Sequence, residues 1–209
     1  MKSISSRHNP LFKRVRDALR DAKDEIVIEG RKAVEDAIAA GWHPRLLLSR
    51  GELRADAVAL SPELFDALAD TKTPQDLLGL FERPRPELRD ILGARAPVVV
   101  LDGVQDPGNV GTIIRMAAAF DCAGVVLLPG CADAYAPKSI RASAGAILRV
   151  PVAHARAADL AGSGLPIFAA DAQGAPIDPP ARDAALVFGS EGSGVSDEIR
   201  RAATLIRIP

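Results

Sequence analysis

LDGVQDPGNVGTIIRMAAAF, residues 101–120, reads as the end of a buried strand, a tight turn and the first turns of a helix. Gly108 and Gly111 permit close backbone approach or positive φ, and Asn109 can cap a helix. A free helix N-terminus behind such a turn offers N–H groups to an anion. Val110, Ile113, Ile114, Ala117 and Ala118 form the apolar stripe of a helix over 109–121. Arg115 lies off that stripe, on the flank of Gly111 and Thr112. It is either a solvated helix arginine or a charge aimed at whatever the turn cradles.

A strand that feeds a helix in this way belongs to an α/β sheet, and the flanking sequence repeats the pattern. VVVLD (98–102) is followed by the helix, then GVVLL (124–128), a helix over 137–146 and RVPVA (149–153). A helix near 155–162, PIFAAD (166–171), ALVFG (185–189), a helix over 195–203 and TLIRI (204–208) complete the series. Continuous apolar strands separated by helices predict a parallel sheet covered on both faces. RPRPELRDILGARAP, 83–97, holds three prolines and many charges and reads as a linker enclosing one short helix.

Upstream, a second α/β pattern occupies residues 22–83. Its strands are centred on 26–28, 46–48 and 77–82; one helix carries Val34, Ala37 and Ile38 on one stripe and is ended by Gly41, and another starts from Ser61-Pro62. Asn9-Pro10 opens an amphipathic helix with Leu11, Val15, Ala18 and Leu19 on one side. Residues 1–20 carry Lys2, Arg7, Lys13, Arg14, Arg16 and Arg20 against Asp17 alone. That run is either a solvated helix face or a footprint for phosphates. The expected domains are therefore 1–83, a linker over 84–96, and 97–209.

The composition, 48% hydrophobic and 25% charged with a net charge of −1, is that of an ordinary globular protein. Charges and prolines interrupt every apolar run before the roughly 18 residues of a membrane span. The N-terminal stretch lacks the apolar core of a signal peptide, so the expected location is cytoplasmic. Cys122 and Cys131 have no zinc-ligand pattern and read as reduced, partly buried thiols. His8, His43 and His154 are scattered, no serine sits in a nucleophile elbow, and no metal-ligand spacing occurs. Metal-free, cofactor-assisted chemistry or pure binding remains.

In parallel sheets ligands sit beyond the carboxyl ends of strands. Two loops lie there: the 101–120 turn and FGSEGSGVSDEI, 188–199. In the second, Glu191 stands among three glycines in a Gly-x-x-Gly-x-Gly spacing. That is neither a dinucleotide fingerprint nor a P-loop, because no lysine follows. A carboxylate held this way can pair with an arginine or orient a ligand.

Taken together, DPGNVGTIIRMAAAF and LVFGSEGSGVSDEI resemble the first two motifs of the SpoU (TrmH-like) branch of the SPOUT RNA methyltransferases. IRIP, 206–209, is similar to the opening of the third. DAYAPKSIRASAGAILRVPV resembles the family's PK-x-x-RAS-x-GA stretch, and SSRHNPLFKRVRD (5–17) followed by EGRKAVEDAIAAG (29–41) is similar to its L30e-like substrate-binding domain. The resemblance implies a trefoil-knotted C-terminal domain, a homodimer, S-adenosylmethionine as methyl donor and a ribose 2′-hydroxyl in structured RNA as acceptor. Ribosomal RNA is the expected substrate ahead of transfer RNA.

The resemblance also implies roles for particular residues. Arg115 matches the catalytic arginine. A guanidinium with a pKa above about 12 is a poor base, so positioning phosphate and stabilising an alkoxide suit it better than proton abstraction. Asn109 would orient Arg115 or the ribose, and Glu191 would hold Arg115 or shape its loop. Cofactor contacts fall on backbone groups after the strands, at Leu128, Pro129, Gly130, Gly189, Ser190, Gly192, Gly194 and Ile208, with Leu128 and Ile208 apolar enough to suit an adenine face and the glycines allowing close approach. RNA contacts fall on Arg7, Lys13, Arg14, Arg31, Lys138 and Arg141. The family's third motif runs on into a Ser-Leu-Asn segment, whereas this sequence stops at Pro209. The expectation is a missing knot tail, with a shortened chain or a degenerate member as its two explanations. The rival expectation is an RNA-binding module of SPOUT fold without methyl transfer.

Overall fold

The computed structural model describes residues 3–51, 55–69, 75–176 and 183–207. It divides into two compact units, Met1–Pro84 with Tyr135–Ile140, and Arg85–Ala134 with Arg141–Pro209.

The first unit contains β1 (Ser3–Ile4), α1 (Pro10–Arg20), β2 (Glu25–Glu29), α2 (Arg31–Ala39), β3 (Pro44–Arg50), β4 (Val58–Leu60), α3 (Pro62–Asp66) and β5 (Leu77–Glu82). They build a mixed five-stranded sheet in the order β1-β4-β3-β5-β2. Asn9 caps α1, accepting from the Leu11 N–H at 2.9 Å, with Pro10 in the first helical position as expected. The buried face of α1 is Phe12, Val15 and Ala18, so Leu11 and Leu19 flank the stripe and Phe12 joins it. β1 and β4, two and three residues long, are too short to show an alternating pattern and escape the sequence reading.

The second unit contains α4 (Leu88–Leu92), β6 (Val98–Asp102), α5 (Pro107–Ala119), β7 (Gly124–Leu127), α6 (Pro137–Ala142), β8 (Val152–His154), α7 (Ala157–Ala161), β9 (Ile167–Pro176), β10 (Ala185–Gly189), α8 (Asp197–Ala202) and β11 (Thr204–Arg207). Residues of α6 up to Ile140 group with the first unit. The sheet is six-stranded in the order β11-β9-β10-β6-β7-β8, and every pairing in it is parallel. All five residues of β6 are buried, which is why VVVLD carries no polar alternation. Ile91 of α4 joins the core cluster with Val98, Val126 and Val187, so the stretch expected as a linker is packed there by its short helix. Among the described residues no helix is long and apolar enough to cross a membrane.

The strand order carries the functional consequence. From β6 the chain moves to β7 and β8 on one side, and it later returns through β9 to place β10 against the other side of β6. The carboxyl ends of β6 and β10 therefore meet where the winding reverses, and loops leaving such a point diverge to form a crevice. The register sets Gly189, the last residue of β10, opposite Asp102, the last residue of β6.

Candidate functional site

The two loops singled out in the sequence both leave this switch point. The first differs from expectation in its cap. Asp106, not Asn109, caps α5, its carboxylate accepting from the N–H groups of Gly108 at 2.6 Å and Asn109 at 3.1 Å. Asp followed by Pro is a strong helix start, because the proline occupies a position whose N–H would be unpaired anyway. The helix consequently begins two residues before the expected point, at Pro107, and Gly108 and Gly111 are helical rather than left-handed. Val110, Gly111, Ile114 and Ala117 form the buried face.

This shift frees the Asn109 side chain. Its Nδ2 donates to Oε1 of Glu191, a residue 82 positions away in the chain. Asn109 and Glu191 are both exposed, so the pair lies at the surface beyond the strand ends and not in the core. The expected alternative, Glu191 holding Arg115, is not the arrangement found. Arg115 is exposed, and among the described residues it has no hydrogen-bond or ion-pair partner. Six residues along the helix place it about 9 Å further down the axis than Asn109.

The second loop is a small closed hairpin. Ser190 and Gly194 exchange backbone hydrogen bonds at 3.1 and 2.9 Å, and the Ser190 and Ser193 hydroxyls lie 2.7 Å apart. Glu191 stands at its tip. Gly189 has no room for a side chain, because a Cβ there would lie 2.1 Å from the carbonyl carbon of Gly194. Behind the hairpin, Arg200 of α8 pairs with Asp171, whose side chain is only 7% exposed. Ser196 caps α8, and its own N–H is held at 2.6 Å by the carboxylate of Asp102. Asp102 is buried, and it is not among the site residues expected from the sequence.

The loop after β7 completes the rim. The Leu128 N–H bonds to the Leu101 carbonyl at 2.9 Å, and Gly130 takes a φ of 88°. The Leu128 side chain belongs to the hydrophobic core and is 3% exposed. Its side chain packs inward, so what Leu128 offers at the strand end is backbone. Pro129 and Gly130 are exposed. Cys131 follows, its thiol 3.2 Å from the Leu101 carbonyl, and burial raises its pKa above the ordinary thiol range, with the Asp102 charge adding to the rise. Ile208 lies outside the described residues.

Of the residues expected to touch RNA, Arg7, Lys13 and Arg31 are exposed on the first unit. Arg14 is engaged by Glu25 through two hydrogen bonds, one of 2.7 Å, and this contact holds its guanidinium still more firmly protonated. Lys138 and Arg141 are exposed and one turn apart on α6. A separate apolar groove of about 560 Å³ on the second unit is lined by Val99, Ile113, Met116, Phe120, Leu186 and Phe188.

Comparison with known proteins places this geometry in a family. The sequence model of the SpoU rRNA Methylase family matches residues 96–209. The chain is 31% identical to the 23S rRNA (guanosine(2553)-2'-O)-methyltransferase RlmP of Bacillus subtilis, over 84% of this chain and 75% of that protein. It is 37% identical to the mitochondrial rRNA methyltransferase 3 of Mus musculus over 64% of this chain, but spans only 36% of that longer protein. Among solved structures, the AdoMet-bound rRNA methyltransferase of Sinorhizobium meliloti superposes with a TM-score of 0.87 at 31% identity. That match covers 100% of this chain and 88% of the other.

Proposed function

The chain belongs to the SpoU rRNA methylase family, and on that premise we propose that it transfers a methyl group from S-adenosylmethionine to a ribose 2′-hydroxyl of ribosomal RNA. The observation that carries this reading is the Asn109–Glu191 pair, which joins the two loops at the topological switch while leaving the Arg115 charge uncompensated among the described residues.

The rim residues fit the cofactor. A Cβ at Gly192 would meet nothing within 4 Å, and one at Gly130 would meet only the Gly103 Cα at 3.6 Å. These two loops thus present bare backbone toward open space, where amide and carbonyl groups can read a nucleoside and an amino-acid moiety. Leu128–Gly130 and Gly189–Gly194 are the segments that would hold it. When bound, S-adenosylmethionine supplies an electrophilic methyl on a sulfonium. Arg115 positions the target phosphate and stabilises negative charge developing on the 2′-oxygen, a task for a permanent cation. Asn109 orients the ribose, with Glu191 fixing the amide so that its carbonyl faces outward.

The same reading assigns RNA capture to an L30e-like first unit through Arg7, Lys13 and Arg31, with Lys138 and Arg141 adding phosphate contacts. Arg14 contributes less, since Glu25 takes up its charge. It also makes the second unit a SPOUT domain of the trefoil-knot type and the protein a homodimer. Support for the dimer comes from Met116 and Phe120, which are 46% and 69% exposed beside the apolar groove.

Calorimetric titration of the protein with S-adenosylmethionine, followed by transfer of labelled methyl to ribosomal RNA, tests the proposal. Saturable binding and RNase-sensitive label are expected. RNA binding without cofactor binding would overturn the enzyme and leave an RNA-binding module.

A further inference from the structure

Asp102 takes no part in the chemistry described above, yet it lies at the root of both functional loops. It is the last residue of β6, it faces Gly189 across the sheet, and it is 8% exposed. Burying a carboxylate is costly unless donors meet it, and the donor here is the Ser196 N–H at 2.6 Å, a short charge-assisted bond. That one contact joins two strand exits. From Asp102 the chain runs through Gly103 and Val104 to Asp106 and Asn109. From Gly189 it runs around the Glu191 hairpin and returns at Ser196. The tip pair Asn109–Glu191 and the root pair Asp102–Ser196 therefore close a ring of two loops.

We propose that Asp102 is a positioning residue for methyl transfer, acting by fixing the return of the 190–196 loop and hence the place at which Glu191 meets Asn109. This rests on the methyl-transfer reading. The tip pair lies between exposed side chains and contributes little rigidity alone, since exposed polar pairs are worth little. The buried root bond is the contact able to hold the hairpin at one height above the sheet. An asparagine at 102 keeps an acceptor oxygen in the same place, whereas an alanine leaves the Ser196 N–H without its partner.

The test compares Asp102→Asn and Asp102→Ala, each also combined with Glu191→Gln, in steady-state methyl transfer. Misplacing a reacting group by about 1 Å costs on the order of 100-fold, so Asp102→Ala should lower kcat by about 10- to 100-fold. The KM for S-adenosylmethionine should change by less than about threefold, and Asp102→Asn should restore most of the rate. In the Glu191→Gln background the further loss on Asp102→Ala should nearly vanish, because the two residues act on one coordinate. Equal losses in both backgrounds, or an asparagine as damaging as alanine, would overturn the proposal. If Asp102→Ala does not fold, amide hydrogen exchange in the unmodified protein decides: the Ser196 amide must exchange more slowly than that of Gly192. An equally fast Ser196 amide would refute the latch. That readout needs no activity, so it separates failure of the latch from failure of the methyl-transfer reading, which shows instead as an unmodified protein that transfers no methyl.

Discussion

Replacing Gly189 by alanine tests whether the second loop closes as described. The added Cβ would sit 2.1 Å from the Gly194 carbonyl carbon, 2.2 Å from its oxygen and 2.3 Å from the Val195 nitrogen. Ordinary contact begins at 3.4 Å, so the returning backbone must retreat by about an ångström. No rotamer change can relieve the clash, because every atom it meets is backbone. The retreat breaks the Ser190–Gly194 exchange at 3.1 and 2.9 Å and pulls Glu191 away from Asn109. Overpacking of this kind costs about 2–3 kcal/mol, at the upper end of small-to-large substitutions. For a chain of this size that is a fall in Tm of about 5–10 °C by differential scanning calorimetry. Gly192→Ala is the matched control, since its Cβ enters open space, and its Tm should stay within about 2 °C of the parent. If Gly189→Ala melts with the parent, or if both alanines destabilise equally, the hairpin does not approach itself as closely as the geometry requires.

Arg115→Ala should abolish methyl transfer while calorimetry shows S-adenosylmethionine binding largely kept; loss of both together would assign Arg115 a structural role. Asp106→Ala removes a cap that serves two N–H groups and should cost about 1 kcal/mol in chemical denaturation. Cys131 should alkylate more slowly than a free thiol at pH 8. Its folded-state pKa is raised, so the thiolate that reacts accumulates only above the ordinary thiol range, and the rate should still be climbing where that of a model thiol has levelled. A rate matching glutathione at every pH would contradict its burial.

The parallel sheet was legible because fully buried strands leave an unmistakable signature: Val98–Asp102 and Ala185–Gly189 fall where VVVLD and ALVFG predict. Both candidate loops were legible for the same reason, since their positions follow from the strand ends. What sequence periodicity could not supply were contacts made across the fold. Asn109 looked like a cap because it is a good capping residue. Asp106-Pro107 outcompetes it locally, and only the approach of Glu191 from 82 residues away shows what Asn109 is free to do. Leu128 was named from the family resemblance, and the sequence could not show that its side chain joins the core while its backbone ends the strand. Asp102 carried a signal that could have been used, an acid closing a five-residue apolar strand. A buried strand end with a charge demands a donor, and the donor lay in the other loop.

The division of charge at the rim follows from this pairing. On the proposed function, a Glu191 bound to Arg115 would neutralise the cation proposed to meet the RNA backbone, and the guanidinium would have to exchange partners during every turnover. Pairing Glu191 with the neutral amide of Asn109 avoids that competition, because an amide donor satisfies the carboxylate without quenching a charge. Arg115 then remains available for a phosphate or a developing alkoxide, whose attraction to an uncompensated guanidinium exceeds that to an ion-paired one. Asn109→Asp inverts the arrangement: it sets two carboxylates against each other at the rim and removes the donor. One of them should swing toward Arg115, and transfer should then fall more than in Asn109→Ala, which removes the donor without adding charge. The order of the two rates, measured at saturating cofactor and low salt where screening is weakest, decides the matter. If Asn109→Asp is the more active of the two, charge separation at the rim is not what the Asn109–Glu191 pair secures.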